Sequence, residues 1–247
     1  MALNEPTRFS VYDFSKVFAL RNKEGNPYVL IGGQAVNYWA ETYCHVETRL
    51  QELVPFTSVD IDFKGTREDV QSIAEELGRK AFFPGTVEMT ALAGTIPIKL
   101  GDLDSAIEVV RIVPGVSDAE LMVVESELRG NRIRVMDPIS VAASKLELSY
   151  LASQEKRQDL KQLKIAILCV RGFLRGTLEV IERGEADPAG WLGAVNRMRK
   201  LATSKHGRKA AKEHGVDWAF LPREEIAAAK NEKIVRFREM QLPRWGE

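Results

Sequence analysis

The dipeptide Asp137-Pro138 divides the chain into two textures, and that division limits the possible folds more than any other feature. After it, "PISVAASKLELSYLA", "KRQDLKQLKIAILCVRGFL", "PAGWLGAVNRMRKLA" and "REEIAAAKNEKIVRFREM" all repeat apolar residues at helical spacing. Asp caps a helix and Pro fits its first position, so the pair itself predicts the start of the first of these helices. Before it, short β-branched runs alternate with helical ones. "YVLI" reads as a buried strand closed by Gly32 and Gly33, and "VYDFSKVFAL" reads as a helix from the spacing of Val11, Phe14, Val17 and Phe18. "TREDVQSIAEELGRK" opens on a Thr cap with an acidic first turn and closes at Gly78, again a helix. "TVEMTALAG", "TIPIKL" and "AIEVVRIV" have strand length, and "LMVVESELRGNRIRVM" predicts a hairpin turning at Gly130-Asn131. The expected fold class is α+β: residues 1–137 form a mixed β-sheet domain with flanking helices, and residues 138–247 form an all-helical domain.

Thirty-five basic residues balance 35 acidic ones, so no whole-chain field favours nucleic acid or a membrane, and any such attraction is local. Cys44 and Cys169 are too far apart and too apolar in their surroundings for a disulfide framework or a zinc pattern, which fits a reducing cytoplasm. The first residues carry no secretory signal, and the longest apolar run, "IAILCV", is far short of the ~20 residues that span a bilayer. A cytoplasmic protein with no membrane partner is expected.

The chemistry is concentrated between Tyr28 and Phe63. In "TSVDIDF", Val59, Ile61 and Phe63 alternate with Ser58, Asp60 and Asp62, so both carboxylates leave one side of a strand with Cα atoms ~6.5 to 7 Å apart. Like charges that close repel unless a cation lies between them, and an all-oxygen set suits Mg2+ or Mn2+. By itself, such a pair is more often the acidic outer face of an ordinary strand. Two glycines that end a strand and open a helix let a phosphate approach backbone N–H groups at the positive end of the helix dipole. Alone, they are more often a tight turn that binds nothing. Together the two features offer a cradle for a triphosphate and a seat for its metal.

"LIGGQAVNYWA" followed by "TSVDIDF" resembles the nucleotidyltransferase fold of the DNA polymerase β superfamily, and more closely the AbiEii-type toxin-like nucleotidyltransferases. The resemblance covers roughly Tyr28 to Leu163. It implies a nucleoside triphosphate (NTP) substrate, phosphate contacts at Gly32 and Gly33, and metal ligation by Asp60 and Asp62. It also implies a third carboxylate on a later strand, where "SAIEVVRIVPGV" puts Glu108 in place of the usual Asp; a solvent-facing strand Glu is the alternative, and Asp102 and Asp104 are substitutes. In "DPISVAASKLELSYLASQEKRQDLKQL" the resemblance places Lys145 near the nucleotide phosphates and Asp159 in a lysine-orienting or helix-linking role. The implied reaction moves a nucleoside monophosphate to a hydroxyl of RNA, tRNA, a protein or a small molecule, and an antitoxin partner is a further implication. The alternative is a nucleotide- or RNA-binding module that has lost catalysis. A dinucleotide-binding enzyme is disfavoured, because no third glycine and no later ribose-pairing acid follow at the required spacing.

One departure from the pattern has a geometric consequence. Twenty-six residues lie between Gly33 and Asp60, a long gap for this superfamily. A straight helix from Gln34 to Leu53 runs ~30 Å. The residues from Val54 to Val59 return only ~20 Å at full stretch. The helix must therefore break near Cys44 to Thr48 if the aspartates are to meet the glycines. Elsewhere, Arg197, Arg199, Lys200, Lys205, Arg208, Lys209 and Lys212 form a tract without an acidic residue, a candidate RNA contact with Trp191 or Trp218 available for stacking. A solvated helix face is the plainer reading of that tract. His206 and His214 read as surface residues, not zinc ligands.

Overall fold

A computed structural model of the chain describes residues 7–85, 90–155 and 157–245. Its centre is a six-stranded mixed sheet of β1 (Val29–Ile31), β2 (Ile61–Lys64), β3 (Leu92–Leu100), β4 (Leu103–Val110), β5 (Val123–Leu128) and β6 (Asn131–Met136). The spatial order is β3-β4-β2-β1-β6-β5, with β2/β4 and β1/β6 parallel and the other neighbours antiparallel. The period-two pattern sets the faces. Ile61 and Phe63 are buried beside Ile107 and Val109, their partners in register, while Asp62 and Glu108 lie opposite each other on the other face. Pro97, which has no N–H to donate, is on β3 at the edge of the sheet.

Eight α-helices surround the sheet: α1 (Gly32–Tyr43), α2 (Arg67–Glu76), α3 (Pro138–Leu151), α4 (Asp159–Glu182), α5 (Pro188–Thr203), α6 (Lys205–His214), α7 (Arg223–Ala228) and α8 (Glu232–Met240) among the described residues. The Thr66 cap of α2 is reciprocated by Asp69, and Asp137 caps α3 through the Ser140 N–H at 2.9 Å with Pro138 at the first position. α1 is buried from Gly33 to Ala40 and packs against α3 and α4, so buried side chains form one continuous cluster across Asp137.

The expected break after α1 is present. The helix ends at Tyr43, the Val46 and Glu47 N–H groups both return to the Tyr43 carbonyl, and a 3₁₀ segment runs from Thr48 to Leu53. Glu47 is buried between Arg49 at 3.3 Å and Arg171 of α4 at 3.4 Å, which ties the turn to the helical half, while Leu50 and Phe56 enter the core.

Several local expectations need correction. "VYDFSKVFAL" forms two 3₁₀ turns, Val11–Phe14 and Val17–Ala19, because Val11, Phe14 and Val17 recur every third residue and eclipse at three residues per turn. "TIPIKL" and the end of "TVEMTALAG" form one strand with a register shift between Leu92 and Gly94; residues 86–89 lie outside the described residues. The β5–β6 turn is Arg129-Gly130, one residue earlier than expected, with φ of 48° and 78° as a type I′ turn requires. "REEIAAAKNEKIVRFREM" is two helices, since Asn231 caps α8 and Glu182 accepts the Lys230 and Asn231 N–H groups at 2.9 and 3.0 Å. α6 gives no apolar periodicity, burying only Gly207 and Ala210; its signals are the Ser204 cap and Gly215 at φ 58°. Among the described residues no helix is long and apolar enough to cross a membrane.

Candidate functional site

The glycine turn and the aspartate pair, 26 residues apart in sequence, meet in space. Antiparallel pairing of β1 with β2 sets Ile31 directly across from Asp62, so the residue after Ile31 reaches the Asp62 side chain. Gly32 has φ +65°, a left-handed conformation, and a Cβ there would stand 1.9 Å from Asp62 Oδ2. A Cβ on Gly33 would lie 2.5 Å from Ser58 Oγ and 3.0 Å from Gln162 Nε2. The turn lacks side chains because a carboxylate, a hydroxyl and an amide occupy that space. Ser58 in turn donates to Asp60 at 3.4 Å, and its backbone pairs with Phe9 through two hydrogen bonds of 2.7 and 2.9 Å.

Parallel pairing of β2 with β4 then brings Glu108 beside Asp62. The electrostatics record the crowding. The Asp62 carboxyl is pushed up to about 8, first by burial and then by the charges of Asp60 and Glu108, while Lys145 and the Gly33 backbone N–H act in the other direction. Glu108 is also raised, by burial and by Asp60, with Arg157 opposing. Asp102 and Asp104 take no part: both are exposed near the β3–β4 turn, and Asp104 pairs with Lys99 at 3.0 Å.

The cationic side of the site comes from α3 and the loop that leads into α4. Lys145 and Asp159 are buried and paired at 3.2 Å, and Arg157 closes on the other Asp159 oxygen at 2.5 Å. Burial alone would raise the Asp159 carboxyl, but the Arg157 hydrogen bond and the Lys145 charge outweigh it and hold it below the usual carboxylate range. Asp159 thus fixes the Lys145 ammonium within reach of the Asp62 field. Sequence reasoning missed Arg157, Ser58 and Gln162. Gln162 is a buried polar residue one turn after Asp159, and a polar position on an otherwise apolar helix face is the signal that marks it.

The donor chemistry fits a hard divalent cation, since every candidate ligand is a carboxylate, and the charges of Asp60 and Glu108 add to burial in raising Asp62. Among the described residues, however, no three His, Cys, Asp or Glu side chains already converge tightly enough to hold a metal ion. Asp60, Asp62 and Glu108 are electrostatic neighbours, not a closed cage.

The basic tract is not a uniform face. Arg197 points inward, donating to Asp137 at 2.8 Å and to Ser140 Oγ at 2.8 Å, so it locks the start of α3. Arg199 lies over the Trp245 ring, and Lys209 lies over the Tyr150 ring and pairs with Glu213 at 3.6 Å. Lys200, Lys205, Arg208 and Lys212 remain exposed. Trp191 is in the core with its N–H on the Leu174 carbonyl, so it is not available for stacking, and Trp218 is half-buried with its N–H on Gly207. His206 is more than a surface residue: it bonds Glu147 at 3.0 Å and stacks on Tyr150. No protein-family model, curated protein or solved structure matches the chain.

Proposed function

We propose that the chain is a nucleotidyltransferase of the DNA polymerase β type, dependent on Mg2+ or Mn2+, that transfers a nucleoside monophosphate from an NTP to a hydroxyl acceptor. The observation that carries this reading is the meeting of the Gly32-Gly33 turn with Asp62, in register with Glu108, under the Lys145–Asp159 pair. Asp60 and Asp62 would hold the metal, with Glu108 beside them. When bound, the ion neutralises charge on the triphosphate and on the carboxylates.

The chain's own groups have distinct tasks. The α1 N-terminus offers backbone N–H groups to phosphate, and Lys145, oriented by Asp159, adds positive charge without fixed geometry. Glu108, with its pKa raised, is suited to take the proton of the acceptor hydroxyl. The hydroxyl oxygen forms a bond to the α-phosphorus, the bond from that phosphorus to the bridging oxygen breaks, and pyrophosphate leaves with the electron pair. Position and charge carry the reaction. The acceptor is proposed to be RNA, held in part by Lys200, Lys205, Arg208 and Lys212; an antitoxin partner belongs to the same reading.

One observation favours a second reading, a nucleotide-binding module without transfer activity: the carboxylates do not close into a ligand cage. Each α-labelled NTP, incubated with the protein, magnesium and bulk RNA, separates the two. Label transfer lost in Asp60→Asn and Asp62→Asn supports the enzyme. Magnesium-dependent NTP binding without transfer to any acceptor supports the module.

A further inference from the structure

A groove of about 660 Å³ opens between the two N-terminal 3₁₀ turns, the end of α2 and the β3–β4 hairpin. Its charge is one-sided. Among the described residues Arg8, Lys16, Arg79 and Lys99 line it against a single carboxylate, Asp13, whose Oδ2 already accepts from the Ser10 N–H at 2.7 Å and hydroxyl at 2.8 Å. Lys16 and Arg79 are exposed, and among the described residues neither forms an ion pair, whereas Lys99 is held by Asp104. Between the cations the wall is apolar, with Leu77, Ile98, Leu100 and Leu103. Leu103 is 49% exposed, a large apolar side chain at the rim of the hollow.

Two exposed cations without carboxylate partners among the described residues, around an apolar floor, match a ligand with an anionic end and a flat or apolar body. The volume lies within the range of small-molecule sites, roughly 300 to 1,000 Å³. A guanidinium and an ammonium across one hollow suit the several oxygens of a phosphomonoester better than a lone carboxylate. We propose that this groove binds a phosphorylated small molecule of mononucleotide size, with its phosphate between Lys16 and Arg79 and its planar part over Leu77 and Leu103. The site is separate from the carboxylate centre and does not rest on the function proposed for that centre. The two touch through Arg8, which lines the groove and whose guanidinium nitrogens lie 2.8 and 3.1 Å from the Gln158 side-chain oxygen once that amide is oriented to accept them. Gln158 immediately precedes Asp159, which places the partner of the groove's Arg8 one residue in sequence from the carboxylate that holds Lys145.

The test is calorimetric titration of the full chain, without magnesium, using the four nucleoside 5′-monophosphates, ribose 5-phosphate, inorganic phosphate and a single-stranded RNA decamer. At least one monophosphate should bind at least ten-fold more tightly than ribose 5-phosphate and inorganic phosphate. Lys16→Glu with Arg79→Glu should weaken it by ten-fold or more, and Leu103→Asn should weaken it by three-fold or more, with circular dichroism unchanged in both variants. Asp62→Asn should leave this binding intact while removing magnesium-dependent NTP binding, so failure at one site is distinguishable from failure at the other. The proposal is overturned if no monophosphate binds at millimolar concentration, or if both groove variants bind like wild type. It is also overturned if Asp62→Asn abolishes the binding, which would put the ligand at the carboxylates. Decamer binding more than ten-fold tighter than any monophosphate would make the groove a nucleic-acid face instead.

Discussion

Replacing Asp62 by Asn should make the protein more stable while removing its response to metal. The carboxyl is pushed up to about 8 from an ordinary 3.8 because burial, Asp60 and Glu108 all oppose its ionisation. The sign follows from linkage. Above pH ~4 the unfolded chain releases this proton while the folded chain retains it until about pH 8, so the group's contribution is most favourable at low pH and is lost as pH rises between those values. At pH 7 the unfolded value has been passed by about three pH units, which at about 1.36 kcal/mol per unit sets a ceiling of about 4 kcal/mol. Partial exposure and relaxation of the neighbouring charges reduce this to about 2 kcal/mol or somewhat more. Asn keeps the shape and an oxygen for the Gly33 N–H but has nothing to ionise. Urea denaturation should therefore show Asp62→Asn about 2 to 4 kcal/mol more stable than wild type at pH 7, with the gap closing near pH 4. Millimolar magnesium should raise the wild-type midpoint increasingly as pH climbs from 5 to 8, and should leave the Asn variant unmoved. A variant no more stable than wild type at pH 7, or a gap independent of pH, would falsify the charge-crowding account.

Asp159→Ala leaves Lys145 buried without its carboxylate and should cost about 3 to 5 kcal/mol in chemical denaturation, more than Lys145→Met, which leaves Asp159 paired with Arg157. Gly32→Ala combines a left-handed backbone with a Cβ that collides with Asp62; a loss of about 1 to 3 kcal/mol is expected, with NTP binding in magnesium falling more than ten-fold while the circular dichroism spectrum holds. If RNA is the acceptor, Lys205→Ala, Arg208→Ala and Lys212→Ala together should weaken RNA binding and reduce its logarithmic salt slope by about 2, and an unchanged slope would remove this face from the acceptor site.

The parts readable from sequence were those with a short-range physical signature. Strand alternation put Asp62 on the polar side, although the strand begins at Ile61 and Asp60 sits in the bend before it; the Asp137-Pro138 cap started α3, and chain-length arithmetic required α1 to break where it does. Other features depended on partners distant in sequence. Nothing near Arg197 says that it turns inward to Asp137, and nothing near Trp191 says that its N–H has a carbonyl waiting in α4. The apolar run at Val11 is ambiguous because Val11, Phe14 and Val17 align at three residues per turn, while all three and Phe18 also share an arc of about 120° at 3.6 residues per turn. Arg157 was hidden for a different reason: its importance lies in the charge of four carboxylates contributed by β2, β4 and α4 and the residue before β2, which no single window contains.

The pairing of β2 with β1 on one side and β4 on the other also bears on how such a chain can vary over evolutionary time. Adding or removing one residue between Ile61 and Phe63 would rotate a carboxylate into the apolar layer and an isoleucine or phenylalanine toward the glycine turn, exchanging both faces at once. Indels are therefore excluded from the strands and directed to the segment from Cys44 to Thr57, which is tied to the helical half through Val46, Glu47 and Arg49 and to the core through Leu50, Leu53 and Phe56 but carries no sheet register. Related sequences should differ in length there while keeping constant the count from the glycines back to Tyr28 and from Asp60 forward to Thr66.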